Sequence, residues 1–81
     1  MAENGKKLAP ADQRMLEAID ILKEKGMIRF GQEFCDTIGL LKQNLVNIKR
    51  GTQYFTVDHT VNACKAYNLN ANWIFGLSEQ V

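Results

Sequence analysis

Between Gln32 and Gly51 the sequence QEFCDTIGLLKQNLVNIKRG holds two short helical patterns of apolar residues that meet at Gly39. Phe34, Cys35 and Ile38 form one apolar stripe before the glycine, and Leu41, Leu45 and Ile48 form a second one after it at +4 and +3 spacing. A residue without Cβ at the junction lets the first helix stop in a left-handed conformation and the chain turn at once. Few folds accommodate two such short helices held at a fixed angle by so tight a connection, and the pattern therefore predicts a helix-turn-helix.

The polar residues of the second helix then become the informative ones. Lys42, Gln43, Val46, Asn47, Lys49 and Arg50 fall outside the apolar stripe and form an outer face. In a helix-turn-helix the second helix enters the major groove with its first residues nearest the bases. Lysine can donate to guanine O6 and N7, and glutamine or asparagine can give and accept at adenine N6 and N7. Lys42, Gln43 and Asn47 are the expected base readers, with Val46 suited to a thymine methyl.

The spacing resembles the Cro/phage-repressor type of helix-turn-helix, the xenobiotic-response-element family of bacterial regulators, over roughly Leu16 to Leu77. Phe34-Cys35 matches its apolar-small pair, Ile38-Gly39-Leu40 its turn, Leu45 and Ile48 its buried positions, and Gly51 the glycine closing the recognition helix. The stretch Asn70 to Leu77 looks like the Asn-x-x-Trp-aliphatic-x-x-Gly ending of short phage-type repressors, with the last glycine one step early. The resemblance implies a sequence-specific transcriptional regulator, a repressor, that reads double-stranded operator DNA through helix 42–50 as a weak homodimer. It places Gln32, Asn44, Lys49, Arg50 and Gln53 at or beside DNA-backbone positions, and Arg29 and Tyr54 are further phosphate candidates. Three residues depart from the pattern: Leu41 stands where a capping serine is common, Gly31 where glutamine or threonine opens helix 2, and Cys35 where alanine is usual.

Length and charge narrow the classes further. The chain of 81 residues suits one domain, read as an arm over 1–8 followed by the helical unit 9–81. Ten Lys and Arg against nine Asp and Glu give a net charge of only +1, so the distribution has to carry the argument. No acidic residue falls between Asp36 and Asp58, whereas helix 1 carries Glu17, Asp20 and Glu24. One basic and one acidic side are expected, the basic one meeting DNA. Lys6 and Lys7 are the only charges of interest in the arm.

A single histidine, His59, and two distant cysteines, Cys35 and Cys64, leave little material for catalysis or metal binding. No enzyme activity, cofactor, metal or small-molecule effector is expected, and both cysteines read as small core residues. No apolar run approaches a membrane span, and the start lacks the apolar segment of a secretory signal, which predicts a cytoplasmic protein without membrane contact.

Elsewhere the pattern gives a first helix from Ala11 to Lys25, with Pro10 in its opening turn. Its stripe is Met15, Leu16, Ala18, Ile19 and Leu22, backed by Asp12, Arg14, Glu17, Asp20, Lys23 and Glu24, with Lys23 and Lys25 complementing its dipole. Phe30 is expected under helix 2. Thr56 caps a helix from Val57 to Tyr67 with the stripe Val57, Val61, Cys64 and Tyr67, and Asn70 caps a short fifth helix. Trp73 is expected in the core, while Ile74, Phe75 and Leu77 are candidates for a dimer seam. The fold class is a compact all-α, five-helix, repressor-like bundle. The alternative to DNA reading is a protein-interaction module of the same fold, such as an adaptor or a toxin-neutralising partner.

Overall fold

The computed structural model describes residues 8–81, and among them the chain is an all-helical bundle of five helices. In chain order these are α1 (Pro10–Glu24), α2 (Gly31–Ile38), α3 (Lys42–Lys49), α4 (Val57–Tyr67) and α5 (Ala71–Ile74). The predicted arm, with Lys6 and Lys7, falls outside the described residues except at Leu8. There the carbonyl accepts a 3.0 Å hydrogen bond from Gln13 Nε2, tying Leu8 to α1.

Local chemistry sets the helix ends. Pro10 opens α1, where its missing N–H costs nothing, and Gly39 ends α2 at φ +82 with the Leu40 N–H returning 2.8 Å to the Cys35 carbonyl. Thr56 caps α4 reciprocally: the His59 N–H donates to Thr56 Oγ1 and the Thr56 N–H donates to His59 Nδ1, both at 3.1 Å. Asn70 caps α5 by accepting from the Asn72 N–H. Both caps fall where the sequence predicts them.

The core is formed where α2 packs on α4 and α1 on α5. Met15, Leu22, Phe34, Cys35, Ile38 and Ile48 are fully buried, and Trp73 closes the bundle as expected, with the Arg14 guanidinium 4.9 Å above its ring. The Phe34 and Tyr67 rings stack at 5.7 Å across the α2–α4 contact, and the Tyr67 hydroxyl donates to Thr37 Oγ1 at 3.0 Å.

Several expectations are corrected. The buried face of α4 carries Thr60 and Ala63, while Val57 and Val61 are exposed and Cys64 and Tyr67 are half-buried. The predicted stripe lies about one residue step, ~100°, around the helix. Ala63 is fully buried, and the Thr60 hydroxyl is satisfied by the Thr56 carbonyl at 3.3 Å. Phe30 is 66% exposed because it occupies the extended N-cap position of α2, and Ile28 fills the core in its place. Leu41 is 72% exposed for a related reason: α3 begins at Lys42, so Leu40 and Leu41 lie on extended chain and point to opposite sides, Leu40 inward.

Asp12, read as part of the outer face of α1, is buried. One carboxylate oxygen accepts 3.1 Å from the Phe55 N–H, and the other has no hydrogen-bond partner. Burial raises its pKa above the usual carboxylate value, and the Phe55 bond opposes that shift.

Candidate nucleic-acid interface

With Leu45 and Ile48 turned into the core, the helical period fixes what α3 presents outward. Gln43 and Arg50 stand at the pole opposite the core, with Val46 and Asn47 beside them. Gln43 Nε2 lies 3.5 Å from Asn47 Oδ1, and Asn47 Nδ2 lies 3.4 Å from Gln53 Oε1. The three amides thus form a strip across the outer face. Both separations are at the long limit of hydrogen bonding, so the amides are loosely tied and can exchange partners readily.

The end of α3 holds this strip in place. Gly51 takes φ +83, and the Asn47 carbonyl accepts from both the N–H and the hydroxyl of Thr52 at 3.0 Å. The chain is thereby turned so that Gln53 returns beside Asn47. Asn44, half-buried, shares that flank of α3, and Tyr54 is exposed at the next position.

Lys42 and Lys49 occupy the other flank. They are seven residues apart, about two turns, and therefore project from the same side of α3. There they line a groove with Lys23 from the last turn of α1, Phe30, Gly31, Gln32, Cys35 and Leu45. Lys42 is thus placed apart from Gln43 and Asn47, with which the sequence reading grouped it as a base reader, while Gln53, expected at the DNA backbone, lies beside Asn47.

Among the other backbone candidates, Gln32 is exposed, but its Nε2 donates at 2.7 Å to Asp36 Oδ1. Arg29 is exposed and its backbone N–H donates to Glu33 Oε1 at 2.9 Å, securing the entry to α2. Neither α2 nor α3 has a side-chain cap, which leaves first-turn amides and the positive dipole ends available to an anion.

Cys35 lies buried under this surface. Its thiol pKa is raised chiefly by burial and further by Asp36, with Lys49 and Lys42 acting in the opposite sense. Cys64 is likewise raised by burial, and both thiols are free. Among the described residues no group of three or more His, Cys, Asp or Glu side chains could hold a metal ion, and no helix is long and apolar enough to cross a membrane.

The dimer candidates separate. Ile74 is 0% exposed because the last residue of α5 turns into the bundle, so it is core. Phe75 and Leu77 are 54% and 79% exposed. Phe75 adjoins an apolar groove between α4 and α5 lined by Val57, Val61, Cys64 and Ala71. The sequence reading missed Val57 and Val61 as surface residues, and missed Lys23 and Phe30 as neighbours of α3. No local signal could have found the latter pair, because the α1–α2 return alone brings them there.

Comparison of the chain with protein-family models, with curated proteins and with solved structures finds no match.

Proposed function

We propose that this chain is a sequence-specific DNA-binding transcriptional regulator that reads the major groove with α3. One observation carries the reading: the outer pole of α3 presents the amides of Gln43 and Asn47, extended into a strip by Gln53 from the following turn, with Arg50 beside it and two lysines along one flank. Amides in such an array can give and accept at base edges, and cations on the flank suit the phosphates bordering the groove. The uncapped start of α3 further favours approach to a polyanion.

Regulation follows from occupancy: a repressor seated on an operator blocks access without chemistry on its partner. One α3 covers about a half-site, so the reading includes a weak homodimer on a two-fold operator, with Phe75 and Leu77 at the seam. Selection of bound sites from a random duplex pool tests the whole proposal. A recovered two-fold site with half-sites about one helical turn apart supports it, and a pool that remains random removes sequence-specific reading.

The exposed apolar groove between α4 and α5 favours a second reading, a module that binds another protein through those helices. Affinity for plain duplex separates the two, because a purely protein-binding module has no salt-dependent attraction to DNA.

A further inference from the structure

Three lysines line the groove between the end of α1, the start of α2 and one flank of α3. Lys23 comes from α1, and Lys42 and Lys49 come from α3. Among the described residues no carboxylate lines this groove, and nearby Asp36 has an oxygen engaged by Gln32 Nε2 at 2.7 Å. Like charges brought together by a fold repel unless an anion occupies the space between them. Phe30, an aromatic ring 66% exposed to water, lines the same groove. Gly31 and Leu45 give the groove an otherwise uncharged lining. Cations paired with an exposed ring suit a ligand that alternates charge with a compact apolar ring, which describes a sugar–phosphate chain.

We infer that this groove seats one DNA strand by its backbone: Lys23, Lys42 and Lys49 neutralise successive phosphates, and the Phe30 ring lies against a deoxyribose. The inference rests on the DNA-binding reading above and extends it in two ways. It adds α1 to the footprint, and it assigns Lys42 to the backbone in place of the bases. The geometry of α3 is consistent with this division, since the lysines occupy one flank while Asn44, Asn47 and Gln53 occupy the other.

Four variants test it on a selected site and on random duplex: Lys23→Ala, Lys42→Ala, Phe30→Ala and, as a control from the α4–α5 groove, Lys65→Ala. Each lysine of the basic groove should flatten the log-log salt dependence by about 0.9 per phosphate, so the affinity lost between 50 and 200 mM salt shrinks about 3.5-fold. Lys23→Ala and Lys42→Ala should weaken both duplexes by the same factor, leaving the ratio of specific to random affinity unchanged. Phe30→Ala should also weaken both equally but keep the parent slope, because it removes no charge. Lys65→Ala, away from the basic groove, should keep the parent slope on random duplex.

Thermal unfolding of each variant checks that the fold is retained. If the parent binds duplex and Lys23→Ala keeps its full slope, the groove is not a backbone seat, although the DNA reading survives. A Lys42→Ala loss confined to the selected site returns Lys42 to the bases and overturns its assignment here. If the parent binds no duplex at all, both proposals fail together.

Discussion

The Asp12 carboxylate, in the first turn of α1, accepts a 3.1 Å hydrogen bond from the backbone N–H of Phe55, forty-three residues further along the chain. The contact fixes the segment entering α4 against the start of the bundle. Its second oxygen is buried without a partner, and burial raises the carboxyl pKa. The folded state therefore holds this proton to higher pH than the unfolded chain does. Stability from this group is fully present below the ordinary carboxylate pKa and is lost as pH rises through the raised value. Asp12→Asn keeps an acceptor for Phe55 and should remove that loss, so the difference in denaturant midpoint between variant and parent should grow over this window. Asp12→Ala leaves the Phe55 N–H unpaired and should cost about 1–3 kcal/mol at neutral pH.

Gln43 tests base reading. Gln43→Ala should cost about 1–3 kcal/mol on the preferred duplex and much less on random duplex, because a base contact is lost while phosphate contacts remain. Competition binding on both duplexes measures the difference. Equal losses would reassign Gln43 to the DNA backbone.

Lys49 and Arg50 test the field around α3. Replacing both with alanine should weaken specific and random duplex alike and flatten the log-log salt slope by about two units. Titrations at a series of salt concentrations read the slope directly. An unchanged slope would mean that neither side chain neutralises a phosphate.

Ile74 and Phe75 are adjacent, yet their substitutions should behave differently. Ile74→Ala empties a fully buried position and should destabilise the domain by about 2–5 kcal/mol. Phe75→Ala should leave the melting of the monomer nearly unchanged while raising, in parallel, the dimer dissociation constant and the concentration needed to fill a two-fold operator. Sedimentation over a concentration series, with and without that duplex, is the measurement. A parent that stays monomeric on the two-fold duplex rules out the dimer.

What the sequence made legible was whatever is decided locally. Phe34, Cys35 and Ile38 announced the inner face of α2, Gly39 its end, and Thr56 and Asn70 the starts of α4 and α5, because capping and turning are settled within a few residues. The phase of α4 was not legible. Apolar content favours a stripe through Val57 and Val61, but the packed bundle buries Thr60 and Ala63 instead. Asp12 was hidden for a related reason: its partner is a backbone amide that leaves no trace in residue type. For the candidate interface, the polar face of α3 could be read directly, whereas its division into an amide strip and a lysine flank required the return of α1 and α2 beside it.

The segment after α3 is secured at both ends, by Thr52 on the Asn47 carbonyl and by Phe55 on Asp12. Mechanically it is a short beam with two fixed supports, and only Gln53 and Tyr54 lie on the span between them. Their reach is consequently set by the distance between the supports. One support belongs to α3 itself and the other to the beginning of α1, at the opposite end of that helix from Lys23. A change at the start of α1 thus shifts where Gln53 meets Asn47 without altering any residue of the outward strip, and under the proposed DNA reading it would tune base preference from outside that strip.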